Sequence, residues 1–102
     1  MTETTTTAKR VVQKFHQDGG HGWLCVKRSE LEALGIADRI TAFSYQKNQS
    51  VYLEEDQDYT TYHDALKQRG IELEQVDGKI FDQPHPIRRF ECYQPTPARQ
   101  AA

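Results

Sequence analysis

The side chains able to bind metal or attack a substrate are few. His16 and His21 flank a Gln17-Asp18-Gly19-Gly20 turn, and Cys25 follows His21 by four residues. A hairpin closing at that turn would bring the two imidazoles together, with Cys25 as a third donor, and zinc accepts such a set. The spacing, however, is neither Cys-x-x-Cys nor His-x-x-x-His, no fourth ligand offers itself, and His21 between Gly20 and Gly22 reads as an exposed turn residue. No metal ligand and no cofactor is therefore assigned. Cys25 beside a histidine would be a nucleophile with its base. Its neighbours Trp23, Leu24 and Val26 are apolar, though, and such surroundings raise a thiol pKa and make it inert. There is no Gly-x-Ser-x-Gly, no glycine loop for phosphate and no His-Glu-x-x-His. No catalytic residue is assigned, and a small metal- or thiol-dependent enzyme is the least supported reading. His63 and His85 join no such cluster.

Charge suggests two alternative binding surfaces. Between Thr41 and Glu74 seven acids stand against three bases, and four of the acids lie in the run Glu54-Glu55-Asp56-Gln57-Asp58. Structurally, the run leads into a helix whose dipole favours negative charge, with Asp58 as the cap. Functionally, it is a patch for a basic partner, with Glu54, Glu55, Asp56, Asp58, Trp23 and Tyr93 as the interaction candidates. It lacks the spacing of a calcium loop. The alternative surface is basic. If the first and last strands lay side by side, Lys9, Arg10, Lys14, Lys27, Arg28, Arg88 and Arg89 would form a stripe. Tyr45, Phe90, Trp23 and Tyr93 would then offer stacking faces to single-stranded nucleic acid. A net charge of -2 and the lack of an RNP-like motif weigh against it.

These residues need elements to hold them. Residues 10–27 read as a β-hairpin about the Gly19-Gly20 turn, and Trp23-Leu24-Cys25-Val26 suits a strand at the sheet centre or covered on both faces. Ser29 and Glu32 make a capping box for a short helix carrying Leu31 and Leu34, closed by Gly35-Ile36. A second hairpin pairs residues 40–46 with 50–54 through Asn48, which tolerates a left-handed backbone. A second helix spans residues 59–69, with Tyr59, Tyr62 and Leu66 on one face, and ends in Gly70-Ile71. Asp77-Gly78 signals a third turn after a strand from Ile71. Ile80-Phe81 would begin the return, and residues 87–93 would form an edge strand. The expected fold is α+β: an antiparallel sheet of hairpins with two helices on one face, in ββα-ββα-ββ order. The Gly-Ile helix endings, 35 residues apart, hint at a duplicated ββα unit.

Composition bounds the rest. A chain of 102 residues allows one domain, and its 36% apolar content is below the usual value of about 45–50%. Residues 1–8 and 95–102 lack apolar anchors and read as disordered tails around a single domain at 9–94. With no basic n-region, no apolar leader and no run of 18 apolar residues, a cytoplasmic protein without membrane contact is expected. The two cysteines are too few for a disulfide scaffold.

His21-Gly22-Trp23-Leu24, Leu34-Gly35-Ile36-Ala37-Asp38, Ser44-Tyr45-Gln46 and Tyr52-Leu53-Glu54-Glu55-Asp56 together resemble a group of small bacterial proteins found on plasmids and phages. The resemblance covers roughly residues 16–93 and brings no catalytic residue with it. It implies a bacterial cytoplasmic setting and an accessory role in a mobile element. The expectation is a non-enzymatic module that docks an unknown protein partner or a second copy of itself. Nucleic-acid binding is the alternative.

Overall fold

The computed structural model describes residues 9–95. The tails expected at 1–8 and 95–102 lie, apart from Pro95, outside the described residues. The elements run β1 (Lys9–Gln17), β2 (Gly22–Lys27), α1 (Arg28–Ala33), β3 (Tyr45–Lys47), β4 (Ser50–Glu54), α2 (Asp58–Gln68), β5 (Ile71–Ile80) and β6 (Glu91–Cys92), with short 3-10 turns at Ala37–Arg39 and Pro86–Arg89. They form one six-stranded sheet in the order β5-β1-β2-β4-β3-β6. The class is α+β, as expected, and the hairpin-helix unit occurs twice before the chain departs from repetition.

Strand alternation sorts the side chains onto two faces. Phe15, Leu24 and Leu53 lie opposite one another across β1, β2 and β4, and Val26 opposes Val51. This face carries the helices. Leu31 of α1 and Tyr62, Ala65 and Leu66 of α2 close over it into one core with Ile36, Ile40 and Tyr93. Helix α1 is too short to form alone; it is held by Leu31, which is fully buried. A polar knot ties the layer together. The Tyr62 hydroxyl donates to Glu30 Oε2 at 2.5 Å, and Gln13 Nε2 donates to Glu30 Oε1 and to Tyr62 Oη, each at 3.0 Å. The endings read from glycine are present: Gly35 and Gly70 have φ of 73° and 69°, Asn48 has 56°, and the Ile36 amide donates back to Leu31.

Several expectations are corrected. The sheet is mixed rather than antiparallel, because β5 runs parallel to β1. The α2 connection explains this. A strand-helix-strand crossover returns parallel to its start; β4, two antiparallel steps from β1, already points the same way as β1. There is no third hairpin. Asp77-Gly78 lies inside β5, with a register shift between Phe15 and Gln17 rather than a turn. Strands β5 and β6 end up at opposite edges. The expected strand at 40–46 begins only at Tyr45, and that at 87–93 shrinks to β6. The Ser29–Glu32 box is not made; the cap position of α1 is Lys27, without a side-chain cap. Asp58 is likewise not a cap but the first residue of α2.

Candidate functional site

The second face of the sheet has no helix on it. Its rows are His16-Trp23-Glu54 and Val76-Lys14-Cys25-Tyr52-Tyr45-Cys92. What covers one end of it is residues 81–90, a strap that leaves β5 at one edge and reaches β6 at the other. Phe81 N donates to Gln17 O at the β1 end. His85 then packs against His16 of β1 and Trp23 of β2, and Phe90 packs on Tyr52 of β4. Ile87, between them, is 1% exposed. Trp23 is thus buried between strap and sheet, which answers the apolar run read as a doubly covered strand.

One carboxylate holds the strap. Asp18, in the first turn, has a side chain only 1% exposed. Its oxygens accept from Gly20 N and His21 N in the turn, from His85 N at 2.8 Å, and from Arg88 Nε and a terminal nitrogen at 2.7 and 2.9 Å. The Arg88 guanidinium, followed by these backbone donors, holds the Asp18 carboxyl far below the usual carboxylate range despite its burial. Arg88 in turn lies over the Trp23 ring at 5.5 Å. The two imidazoles that meet here, His85 of the strap and His16 of β1, are both pushed below their ordinary value, chiefly by burial; at His16 the neighbouring His85 adds to this.

Beside the strap opens a cleft of about 330 Å3 lined by His21, Trp23, Phe43, Tyr45, Glu54, Asp56, Gln57 and Arg88. Aromatic rings and acids meet here. Phe43, 71% exposed, stands on the loop before β3. Trp23 and Tyr45 pack edge to face, with ring centroids 6.3 Å apart. Glu54 ends β4, and its Oε1 accepts from Gln57 N at 3.0 Å, which fixes the entry to α2. Asp56 projects from the exposed turn between them. Arg88 contributes a cation whose charge is met from behind by Asp18. The cleft is therefore an open, acid-rimmed aromatic surface.

The acidic candidates separate. Glu54 and Asp56 reach the cleft, Glu55 is exposed outside its lining, and Asp58 is fully buried. Asp58 Oδ2 accepts from Thr41 N, Thr41 Oγ1 and Ser44 Oγ at 3.0, 2.8 and 2.5 Å, pinning the loop that carries Phe43. Of the two aromatic interaction candidates, Trp23 is buried except where it walls the cleft. Tyr93 is buried in the helix-side core, with its hydroxyl donating to Ala37 O at 2.5 Å. The residues missed by sequence reading are Phe43, Tyr45 as a cleft wall, and Asp18 as the strap anchor. An aromatic beside a turn was the only signal for Phe43.

The basic stripe does not assemble. Strand β1 lies between β5 and β2, whereas β6 lies at the far edge. Arg10 pairs with Glu74 at 3.1 Å. Arg28 is buried, donating to Gln94 O and Gln46 Oε1 and lying over the Tyr93 ring at 5.0 Å. Arg88 is taken by Asp18. Lys14 and Lys27 share a shallow groove, with Val12, Cys25 and Ser50. His16 approaches His85 rather than His21, and among the described residues no three His, Cys, Asp or Glu side chains gather to hold a metal. No helix among the described residues is long and apolar enough to cross a membrane. No family model, curated protein or solved structure matches the chain.

Proposed function

We propose that this chain is a non-enzymatic interaction module, and that it docks a protein partner by taking a basic side chain into the cleft. The observation that carries the reading is the convergence of Phe43, Tyr45 and Trp23 with Glu54 and Asp56 around one opening. A cation against an aromatic face gains about 0.5–1 kcal/mol when exposed and about 2 kcal/mol when desolvated. Carboxylates at the rim add attraction and orientation. An exposed phenylalanine beside charged groups fits the anchor of an interface. The resemblance to plasmid and phage proteins suggests the setting: an accessory protein of a bacterial mobile element.

The test is a titration of the 15N-labelled protein with short arginine- and lysine-bearing peptides, with acidic peptides as controls. The expected result is a salt-sensitive shift of the Trp23 indole and of the amides of Phe43, Glu54 and Asp56 with basic peptides alone. Phe43→Ala and Asp56→Asn should each weaken binding several-fold. No shift with any basic peptide, or shifts confined to other surfaces, would refute the reading. A single-stranded oligonucleotide that moved Lys14 and Lys27 instead would favour the nucleic-acid alternative.

A further inference from the structure

His16 and His85 sit behind the aromatic wall of the cleft with ring centroids 5.4 Å apart. Each is committed to one tautomer. His16 Nδ1 accepts from Lys79 N at 2.9 Å, and His85 Nδ1 accepts from Ile87 N at 3.1 Å. With Nδ1 an acceptor, the single proton of the neutral ring is on Nε2. His85 Nε2 is buried without a hydrogen-bond partner, so nothing there would welcome a charge. The bond from Lys79 closes the irregular end of β5, and the His16 ring lies so near Gly78 that an added Cβ would come within 2.5 Å of it. The bond from Ile87 sets the 3-10 turn of the strap.

We propose that residues 81–90 are an acid-released strap: protonation of His16 and His85 breaks their bonds from Lys79 N and Ile87 N, and the stretch from Phe81 to Ile87 lifts from the sheet about the Arg88–Asp18 pair, which stays charged. The steric reason is simple. A protonated Nδ1 carries a hydrogen where a backbone N–H already points, so two donors face each other and the ring or the strap must move. The charges around the pair do not relieve this. Lys14 of β1 and Lys79 of β5 are both repulsive to a charged ring. Asp18 is attractive to His85, but its oxygens already serve Arg88 and three backbone amides.

The docked strap holds both rings neutral, below their ordinary value of 6.5. Docked protein therefore binds fewer protons than released protein, so docking is strongest above pH 6.5 and weakens as pH falls from there through the lower docked-state values. Between the released-state and docked-state values, each unit of pH changes the released-to-docked ratio by about tenfold for one titrating imidazole and about 100-fold for two. Release would loosen the packing behind Trp23, which walls the cleft, so its effect on partner binding rests on the reading of the cleft as a docking site. The release itself does not.

Trp23 is the only tryptophan and lies under the strap, so its emission reports release directly. The free protein is titrated from pH 8 to pH 4.5 without any partner, with far-UV circular dichroism in parallel. The expected result is a red-shifted emission maximum and greater acrylamide quenching below pH 6.5, with the dichroism unchanged. A shift of the maximum separates release from simple quenching by a neighbouring group, which dims emission without moving it. The double variant His16→Asn/His85→Asn keeps an acceptor oxygen near each Nδ1 position and cannot titrate. It should hold its blue-shifted emission to the lowest pH. The proposal is overturned if wild-type emission stays unshifted, if helix and strand signals melt at the same pH, or if the double variant shifts with the same midpoint. These outcomes leave peptide binding at neutral pH untouched, so the two readings can fail separately.

Discussion

The two faces of the sheet are closed by different physics. On one, Leu24, Val26, Val51 and Leu53 meet Leu31, Tyr62 and Leu66 of two helices, and the contact is mostly aliphatic. Such burial is non-directional and roughly proportional to area, so it tolerates small shifts and is insensitive to pH. On the other, ten residues of strap meet Trp23, His16 and Tyr52 through rings and through donors aimed at Asp18. That closure is directional and titratable, and it covers only part of its face. The helix side specifies the fold. The strap side is the one proposed to open.

The sharpest way to break the comparison is to remove equivalent volume from each side. Leu24→Ala should cost about 2–5 kcal/mol, as expected for a fully buried leucine whose cavity cannot collapse. It should lower the denaturation midpoint seen by both tryptophan emission and far-UV dichroism. Asp58→Ala acts on the same side through polarity. It strands the donors of Thr41 and Ser44, at about 1–3 kcal/mol for each buried group left unpaired. Its midpoint should fall, and Phe43, carried by that loop, should lose its fixed position in NMR spectra. Ile87→Ala removes a side chain as buried as Leu24, yet its cost stops at the free energy of docking the strap. It should red-shift Trp23 at neutral pH and barely move the dichroism midpoint. If Ile87→Ala unfolds the whole domain as Leu24→Ala does, the two faces are one cooperative unit and the contrast fails.

The same contrast explains what could be read from the sequence. Elements whose signal is local were legible: the first hairpin from Gly19-Gly20, the endings at Gly35 and Gly70, and the stripe of α2. Their causes lie within a few residues of each other. The parallel pairing of β5 with β1 was not legible, because it depends on where a crossover lands. Asp77-Gly78 misled for a related reason. The glycine is there to let the His16 ring lie against the backbone, not to turn the chain. The strap was the least legible part, since its partners are 67 and 70 residues away in the chain. Of the acidic run, only geometry could tell Glu54 and Asp56, which rim the cleft, from Asp58, which is swallowed by the core.

The smallest expected effect concerns the two thiols, which share one row of the strap-side face yet differ in cover. Cys25 is half-buried in the central strand β2, and burial pushes its thiol up, partly offset by hydrogen bonds from Ser50 and Tyr52. Cys92 is exposed on the edge strand β6. The reactive species is the thiolate, and each unit of upward shift lowers its population about tenfold at fixed pH. Iodoacetamide at pH 8 should therefore modify Cys92 rapidly and Cys25 slowly, giving one fast and one slow phase by mass spectrometry. Ile87→Ala should quicken Cys25 only modestly. The groove of Val12, Lys14 and Lys27 around that thiol contains no strap residue, so its protection comes from the strands themselves. A large acceleration of Cys25 in that variant would instead extend the strap's protection along the row through Tyr52, and would move the boundary between the firm and the releasable parts of this face.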